Sequence, residues 1–290
     1  MKSLFQGCAT ALYTPFKKGN VDYPALERLL DFQLSNGIDA LVACGTTGEP
    51  STLTNEEWEQ VLSFVVHFAH GRVPVIAGTG GNNTAQVIQS ARRAKELGAD
   101  AQLCVTPYYN KTTQDGLIAH YTAIARDGAL PVIIYNVPSR TGLNVLPATL
   151  ATLAKEENII AMKEASADVI QTMDMLRLCG DDMDFYSGSD ELTAPLRAIG
   201  SKGTISVLSN IAPAVMHDMT HGSIGESAAL NKRMMPLIHA LFSQVNPIPI
   251  KAAAAMMGLC ENELRLPLVP MEAGKAETLK KEMQKAGLIC

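Results

Sequence analysis

Eight short apolar runs alternate with longer amphipathic segments along most of the chain, and this rhythm constrains the fold more than any other feature. The runs cover residues 7–12, 40–44, 74–77, 101–105, 132–135, 159–163, 184–187 and 204–207. Apolar runs of this length are typical of buried strands, although periodicity alone does not separate them from buried helices. We therefore interpret each run as one strand of a single sheet.

The segments between the runs have helical spacing of apolar residues. They cover residues 23–36, 56–68, 83–97, 113–126, 147–155, 169–178 and 190–198. Strands that alternate with helices predict parallel βαβ units, and eight such units indicate a (β/α)8 TIM barrel. The alternative is a doubly wound sheet, which normally carries a glycine-rich turn after its first strand. Residues 13–16 read Tyr-Thr-Pro-Phe instead, which favours the barrel.

About eighty residues follow the eighth run, and their pattern is helical. Residues 222–245 predict one or two helices, residues 250–259 an alanine- and methionine-rich helix, and residues 273–286 a charged amphipathic helix. Proline-containing breaks at 246–249 and 267–270 separate them. We expect a barrel domain at residues 1–222 and a small all-helical C-terminal appendage at residues 223–290.

Composition narrows the class of protein. Of 290 residues, 47% are apolar and 18% are charged, so a large core is available. The net charge of -5 comes without a basic stripe, which argues against nucleic acid as a partner. The six cysteines include no Cys-x-x-Cys pair, and no Cys/His cluster has zinc spacing, so we expect no metal. With neither a secretory signal nor a membrane-length apolar run, we expect a cytoplasmic protein.

Lys163 is the strongest candidate for chemistry because it ends an apolar, strand-like run, Ile-Ile-Ala-Met-Lys. Most lysines are solvated, and the other lysines lie in polar or helical surroundings or, for Lys202, before an apolar run. At the carboxyl end of a buried strand, desolvation disfavours the ammonium form. A neutral lysine amine is a nucleophile that forms Schiff bases with ketones.

Unusual polar residues follow several of the predicted strands, and in a barrel these positions meet at one rim. The turn Gly45-Thr46-Thr47-Gly48 offers adjacent backbone N–H groups and two hydroxyls, which suit a carboxylate. Tyr135 ends the run before that of Lys163, so we expect both side chains to face the same cavity. From there its phenol can transfer protons during imine formation. Arg140 is suited to a second carboxylate. Each residue alone has an ordinary structural explanation, but together they indicate an aldol addition through a lysine imine, without a metal.

These residues give the chain a resemblance to the dihydrodipicolinate synthase family, among the pyruvate-dependent class I aldolases that include N-acetylneuraminate lyase. The matching stretches are residues 45–49 (Gly-Thr-Thr-Gly-Glu), 106–110 (Thr-Pro-Tyr-Tyr-Asn), 135–142 (Tyr-Asn-Val-Pro-Ser-Arg-Thr-Gly), 163–165 (Lys-Glu-Ala) and 203–207 (Gly-Thr-Ile-Ser-Val). They span the whole predicted barrel. The threonine at position 46 and the arginine at position 140 resemble the synthase branch rather than the lyase branch.

The resemblance implies a role for each site residue. Lys163 forms the imine with pyruvate, and Tyr135 is the general acid and base. Thr46 connects Tyr135 to Tyr109 of a neighbouring subunit in a proton relay. Thr47 binds the pyruvate carboxylate. The remaining assigned positions are Ile205 and Gly188 in the substrate pocket and Arg140 at the entrance for the second substrate.

The resemblance also implies the reaction and the assembly. Pyruvate condenses with L-aspartate 4-semialdehyde to give 4-hydroxy-tetrahydrodipicolinate, on the route to diaminopimelate and lysine, without a cofactor. A homotetramer, a dimer of dimers, is the expected assembly. The nearest alternative is an aldolase of the same superfamily that acts on a 2-keto-3-deoxy sugar acid or N-acetylneuraminate. A non-catalytic acid-binding barrel and a pyridoxal enzyme are more distant alternatives.

One departure concerns the site at which lysine-sensitive members of the family bind their inhibitor. The matching positions here are Pro50, Ser51, Asn55, Trp58, Asn82, Gln86 and Tyr108. Gln86 stands where a glutamate would face the ammonium group of the inhibitor, and such a charge-assisted contact contributes roughly 1.5–3 kcal/mol. We expect weak or absent inhibition by L-lysine.

Overall fold

A closed barrel of eight parallel strands forms the centre of the molecule, which we describe from a computed structural model for residues 3–290. The barrel strands are β1 (Gly7–Ala11), β4 (Ala40–Ala43), β5 (Val75–Gly78), β6 (Ala101–Val105), β7 (Val132–Asn136), β8 (Ile159–Glu164), β9 (Asp184–Ser187) and β10 (Gly203–Ser206). A small antiparallel hairpin, β2 (Phe16–Lys17) and β3 (Asn20–Val21), follows β1. The predicted (β/α)8 barrel is confirmed, with strand ends displaced by no more than one residue.

The ring closes where β1 pairs with β10, and two glycines make this closure possible. Gly7 lies beside Gly203 in the parallel register. A Cβ added to Gly203 would lie only 1.8 Å from the Gly7 carbonyl oxygen, and Gly203 has φ +157°. Any larger residue would push the first and last strands apart. The closure therefore depends on backbone approach that side chains would prevent.

Helices surround the barrel in the order expected for βα units. They are α1 (Tyr23–Ser35), α2 (Asn55–Ala69), α3 (Thr84–Glu96), α4 (Gln114–Asp127), α5 (Pro138–Thr141), α6 (Pro147–Leu153), α7 (Val169–Cys179), α8 (Thr193–Ala198) and α9 (Pro213–His221). Thr54 begins α2 with a capping box to Glu57, which satisfies backbone N–H groups that the first helical turn leaves free. The short α5 and the later α9 were absent from the sequence-based assignment.

Three further helices follow the barrel: α10 (Ile224–Leu241), α11 (Ile248–Met256) and α12 (Ala273–Lys285). The helical C-terminal region is confirmed. Helix α11 begins two residues earlier than expected, because Pro249 lies at its N-terminus, where a missing N–H costs nothing. The helix predicted from residue 190 begins with a 3-10 turn, Asp190–Leu192, before α8.

The barrel interior is filled by small and branched side chains from alternate strands. They include Ala9, Ile76, Ile133, Ala161 and Ile205, each at most 1% exposed. A second apolar layer lies between the strands and the outer helices. The packed interior leaves room for chemistry only at the ends of the barrel, as is general for this fold. Within residues 3–290, no helix is both long and apolar enough to span a membrane.

Candidate active site

Lys163 lies next to last in β8, at the carboxyl end of the barrel, and only 5% of it is exposed. Parallel pairing of β7 with β8 places Tyr135 directly beside it. The Lys163 Nζ lies 4.3 Å from the centre of the Tyr135 ring. The two residues that the sequence predicted to face one cavity are thus in contact.

The environment of Lys163 favours the neutral amine. Burial lowers the pKa of Lys163 to about 8, with a smaller lowering from the Arg140 guanidinium and an opposing effect of the Asp190 carboxylate. Burial also raises the pKa of Tyr135, so its phenol keeps its proton at neutral pH. The site therefore combines a nucleophilic amine with an adjacent O–H donor.

The threonine turn that follows β4 is a short 3-10 turn held by its own hydrogen bonds. Cys44 has a left-handed backbone with φ 54°, and the chain then forms a 3-10 turn at Thr46–Gly48. The Gly48 N–H donates to the Gly45 carbonyl at 2.8 Å, and Thr14 Oγ1 donates to the Gly48 carbonyl at 2.7 Å. These bonds fix the turn. Thr46 lines the cavity at the barrel mouth, whereas Thr47 is 2% exposed and does not line it.

A cavity of about 820 Å³ connects several of the predicted residues. Thr46, Tyr135 and Arg140 line it. So do six of the seven positions assigned to inhibitor binding, namely Pro50, Ser51, Asn55, Trp58, Gln86 and Tyr108. The seventh, Asn82, lies close by and donates to the Tyr108 carbonyl at 3.2 Å. Arg140, on α5, is exposed and forms no salt bridge with any carboxylate in residues 3–290.

Gly188 lies beside Lys163, and Ile205 lies in the barrel interior; their predicted roles in the substrate pocket stay predictions. A Cβ added to Gly188 would lie 2.7 Å from the Ala165 Cβ and 3.1 Å from the Lys163 Cε. Ile205 is 1% exposed and belongs to the same interior cluster as Tyr135. Glycine at position 188 therefore leaves the space that the lysine side chain needs.

Tyr109 does not line the cavity within its own protomer. It is 94% exposed, with φ 67°, on the loop after β6. Such exposure of a tyrosine is unusual for a monomer surface, since its ring is largely apolar. Its predicted contribution to the site of a neighbouring subunit stays a prediction.

Two residues near the site were not assigned a role from the sequence. Asp190 is 1% exposed and raises the pKa of Lys163, while its Oδ2 accepts from the backbone N–H groups of Val207 and Leu208. Asn246 Nδ2 donates to Thr47 Oγ1 at 2.9 Å across 199 residues of sequence. Asp190 lies three residues after the end of the seventh run, so its position carried a signal; Asn246 lies beyond the barrel and carried none.

A buried lysine at the carboxyl end of a barrel strand, beside a phenol and a hydroxyl-rich turn, defines the Schiff-base-forming class of barrel enzymes. The family model described as the Dihydrodipicolinate synthetase family matches residues 4–286, and the chain belongs to this family.

Relatives and solved structures agree over the full length. The chain is 49% identical to 4-hydroxy-tetrahydrodipicolinate synthase of Trichlorobacter lovleyi, with 99% of this chain and 100% of that protein covered. It superposes on dihydrodipicolinate synthase from Thermotoga maritima with a TM-score of 0.97 at 42% identity, covering 99% of this chain and 100% of that one. The enzyme from Acinetobacter baumannii, solved as a complex with pyruvate, gives a TM-score of 0.95 at 42% identity, covering 98% of this chain and 99% of that one.

Proposed function

We propose that this enzyme condenses pyruvate with L-aspartate 4-semialdehyde, through a Schiff base on Lys163, to give 4-hydroxy-tetrahydrodipicolinate. The observation that carries the proposal is the buried Lys163 amine 4.3 Å from the Tyr135 ring centre. The name of the Trichlorobacter lovleyi relative and the pyruvate complex of the Acinetobacter baumannii enzyme support both substrates and reaction. They favour this reaction over cleavage of a sugar acid.

The chemistry begins with attack of neutral Lys163 Nζ on the keto carbon of pyruvate. The nitrogen gives up two protons while the carbonyl oxygen takes up two and leaves as water, which forms the C=N bond of the imine. We assign the protonated phenol of Tyr135 the supply of one of these protons to that oxygen. Once the imine nitrogen is protonated, loss of a methyl proton gives an enamine, whose carbon attacks the aldehyde carbon while the aldehyde oxygen takes up a proton. The amino group of the second substrate then attacks the re-formed imine carbon, which closes the ring and releases the Lys163 amine.

The two carboxylates of the substrates have separate partners. We assign the pyruvate carboxylate to Thr47 and its turn, because bound pyruvate needs N–H and O–H donors beside the lysine. Arg140 lines the outer part of the cavity without a salt bridge within the described residues, so its guanidinium is available for the carboxylate of the second substrate. This division orients the aldehyde toward the enamine.

The assembly, the compartment and the division of the chain are part of the proposal. The 94% exposure of Tyr109 supports a subunit interface at which it reaches the Thr46 of a neighbouring protomer. We expect a homotetramer made of two dimers, in the cytoplasm, with domains at residues 1–222 and 223–290. Tyr109→Phe tests only the hydroxyl, because the ring and its packing at the interface are kept.

Trapping with borohydride tests the Schiff base. Protein incubated with pyruvate and borohydride is expected to gain one pyruvyl adduct, located on Lys163 by peptide mass spectrometry. Lys163→Met should abolish the adduct, whereas Lys202→Met, at the other end of the barrel, should keep it. An unmodified Lys163 in folded protein would contradict the proposed chemistry.

A second assay tests the second substrate. Pyruvate with L-aspartate 4-semialdehyde should give steady product formation, and 2-keto-3-deoxy sugar acids or N-acetylneuraminate should not be cleaved at a comparable rate. Arg140→Ala should raise the KM for the aldehyde far more than the KM for pyruvate. The reverse substrate preference would assign the chain to the sugar-acid branch while leaving Lys163 as the nucleophile.

A further inference from the structure

Three metal-ligand side chains meet at the end of the barrel opposite to Lys163. Asp39 immediately precedes β4, and His217 and His221 lie one turn apart on α9. One oxygen of Asp39 and one nitrogen from each imidazole all lie within 4.8 Å of one another. This is the one such group among residues 3–290, and the reaction proposed above uses none of its members.

The hydrogen bonds of the two histidines determine which nitrogen is available. His217 Nδ1 lies 2.7 Å from the Gly37 carbonyl oxygen, and His221 Nδ1 lies 3.0 Å from the His217 carbonyl oxygen. A carbonyl oxygen only accepts, so each Nδ1 carries its hydrogen and each neutral ring keeps a lone pair on Nε2. Histidines that bind metals usually donate their other N–H to a carbonyl or carboxylate in this manner.

The free lone pair of His221 faces a carboxylate. His221 Nε2 lies 3.3 Å from Asp39 Oδ1, and the two imidazole rings are stacked with centroids 4.1 Å apart. Two acceptor atoms at this distance repel unless a positive charge lies between them. A proton on one ring supplies that charge, and so does a metal ion, which also uses the second ring.

The surrounding backbone is shaped to admit this cluster. The Cys8 N–H donates to Asp39 Oδ2 at 2.7 Å, which orients the carboxylate and leaves Oδ1 toward the histidines. A Cβ added to Gly7, whose φ is +118°, would lie 2.1 Å from Asp39 Oδ2 and 2.5 Å from His221 Cε1. The glycine therefore leaves space that the carboxylate and the imidazole occupy.

We propose that Asp39, His217 and His221 bind one Zn²⁺ ion, with water completing the coordination. Two imidazoles and a carboxylate are a common zinc ligand set, at about 2.0–2.2 Å from the metal. Tetrahedral coordination at such bond lengths brings ligand atoms to roughly 3.4 Å from one another, so the side chains must draw together from their present spacing. Rotation about side-chain bonds of half-exposed residues accomplishes this.

The ion would connect parts of the barrel that are distant in sequence. Asp39 holds the beginnings of β1 and β4, through Cys8 and its own strand, while the histidines belong to the helix that follows the last strand. A metal here stabilises the closure of the barrel without touching the catalytic end. The expected consequence is higher thermal stability with no change in the rate of condensation.

Metal titration tests the site. The protein should carry no affinity tag, should have the exposed thiol removed by Cys290→Ser, and should be treated with chelator beforehand. Calorimetry with Zn²⁺ at neutral pH should show one ion bound per chain at micromolar or lower Kd. At a hundredfold excess over Kd, the Tm should rise by roughly 5 °C. Co²⁺ should give the strong visible absorption of tetrahedral coordination.

Variants show whether these residues are the ligands. His221→Gln and His217→Gln should each weaken binding at least tenfold and abolish the shift in Tm, while His239→Gln, an exposed histidine on α10, should change neither. The Tm of each metal-free variant checks that it is folded. Absence of one-to-one binding, or binding that survives both substitutions, would overturn the proposal. A Tm that depends on pH but does not change with zinc would also overturn the proposal, since a proton rather than a metal would then lie between the three side chains.

Discussion

Asn246 donates a 2.9 Å hydrogen bond from its Nδ2 to Thr47 Oγ1, which joins the segment before α11 to the turn assigned to the pyruvate carboxylate. Asn246 is 7% exposed, and within residues 3–290 its Oδ1 has no hydrogen-bond partner. The bond occupies a lone pair of the Thr47 hydroxyl, so the hydroxyl hydrogen is free to point at an anion. The helical region thus positions a side chain of the barrel.

This bond predicts a kinetic effect of Asn246→Ala. Loss of the donor lets the Thr47 hydroxyl rotate, and we expect the KM for pyruvate to rise about tenfold, as fits a hydrogen bond of roughly 1–1.5 kcal/mol. Steady-state kinetics measure the effect, with Asn158→Ala at the opposite end of the barrel as the control. An unchanged KM in a folded variant would show that Thr47 does not need this partner.

The lowered pKa of Lys163 predicts the pH dependence of imine formation. With a pKa of about 8, the neutral fraction of Lys163 rises about fivefold between pH 7 and pH 8. The rate at which the borohydride-trapped adduct forms should rise in parallel. The rate increases with pH because deprotonation creates the nucleophile. A rate that keeps rising tenfold per pH unit up to pH 10 would mean that burial does not lower this pKa.

Asp190 provides a test of the same electrostatics. Its carboxylate raises the pKa of Lys163 against the effect of burial, so Asp190→Asn should move the pH profile to lower pH. Asparagine keeps an oxygen for the backbone N–H groups of Val207 and Leu208. Thr193→Val, a neighbouring buried change without a charge, should leave the profile in place. An unmoved profile in Asp190→Asn would show that the acid is neutral in the folded protein.

Gly188 predicts a steric effect. A methyl group in Gly188→Ala would meet the Ala165 Cβ at 2.7 Å and the Glu164 carbonyl at 3.0 Å, and would press on the Lys163 side chain. We expect a loss of about 1–3 kcal/mol in unfolding free energy and at least a tenfold slower trapping of pyruvate. Chemical denaturation and trapping measure the two. Gly225→Ala, whose added Cβ has no neighbour within 4 Å, should change neither rate nor stability appreciably.

The sequence predicted the barrel and the residues at its mouth because both are local signals. Each strand is a short apolar run in the sequence. A lysine at the end of such a run can be recognised without knowing which distant residues surround it. Asn246, by contrast, acts on Thr47 across 199 residues, and no local pattern in an Asn-Pro segment indicates its partner. The cluster of Asp39 with His217 was missed for the same reason, because the two residues are distant in sequence.

Lys251 is the clearest example of context that local sequence does not show. Its Nζ lies 2.7 Å from Glu49 Oε1, and the two side chains are 0% and 1% exposed. The same ammonium lies 4.1 Å from the centre of the Phe16 ring. The alanine-rich sequence around Lys251 gave no sign of a buried ion pair. Its partner, Glu49, follows the threonine turn and is far from Lys251 along the chain.

This pair predicts a large effect on stability. Lys251→Met leaves the Glu49 carboxylate buried without its partner, so we expect a loss of about 3–5 kcal/mol in unfolding free energy. The double variant Lys251→Met/Glu49→Gln should recover part of that loss, because no charge remains buried. Chemical denaturation measures both. Lys285→Met, which breaks an exposed pair with Glu282, should cost less than about 1 kcal/mol. Equal losses in the two lysine variants would contradict the argument.

The neutral side chain of Gln86 leads us to expect weak inhibition by L-lysine. It lines the same cavity as Tyr135 and Arg140, so a ligand bound beside it reaches the site without a long path of coupling. The neutral amide offers no charge to an ammonium group, and we expect half-inhibition only in the millimolar range or above. Gln86→Glu supplies the charge, which should lower the half-inhibitory concentration at least tenfold, as expected for a charge-assisted contact of roughly 1.5–3 kcal/mol.

Gln60→Glu, on the exposed side of α2, controls for the added charge and should leave inhibition unchanged. Strong inhibition of the unaltered enzyme would show that other residues of the cavity hold the ammonium group.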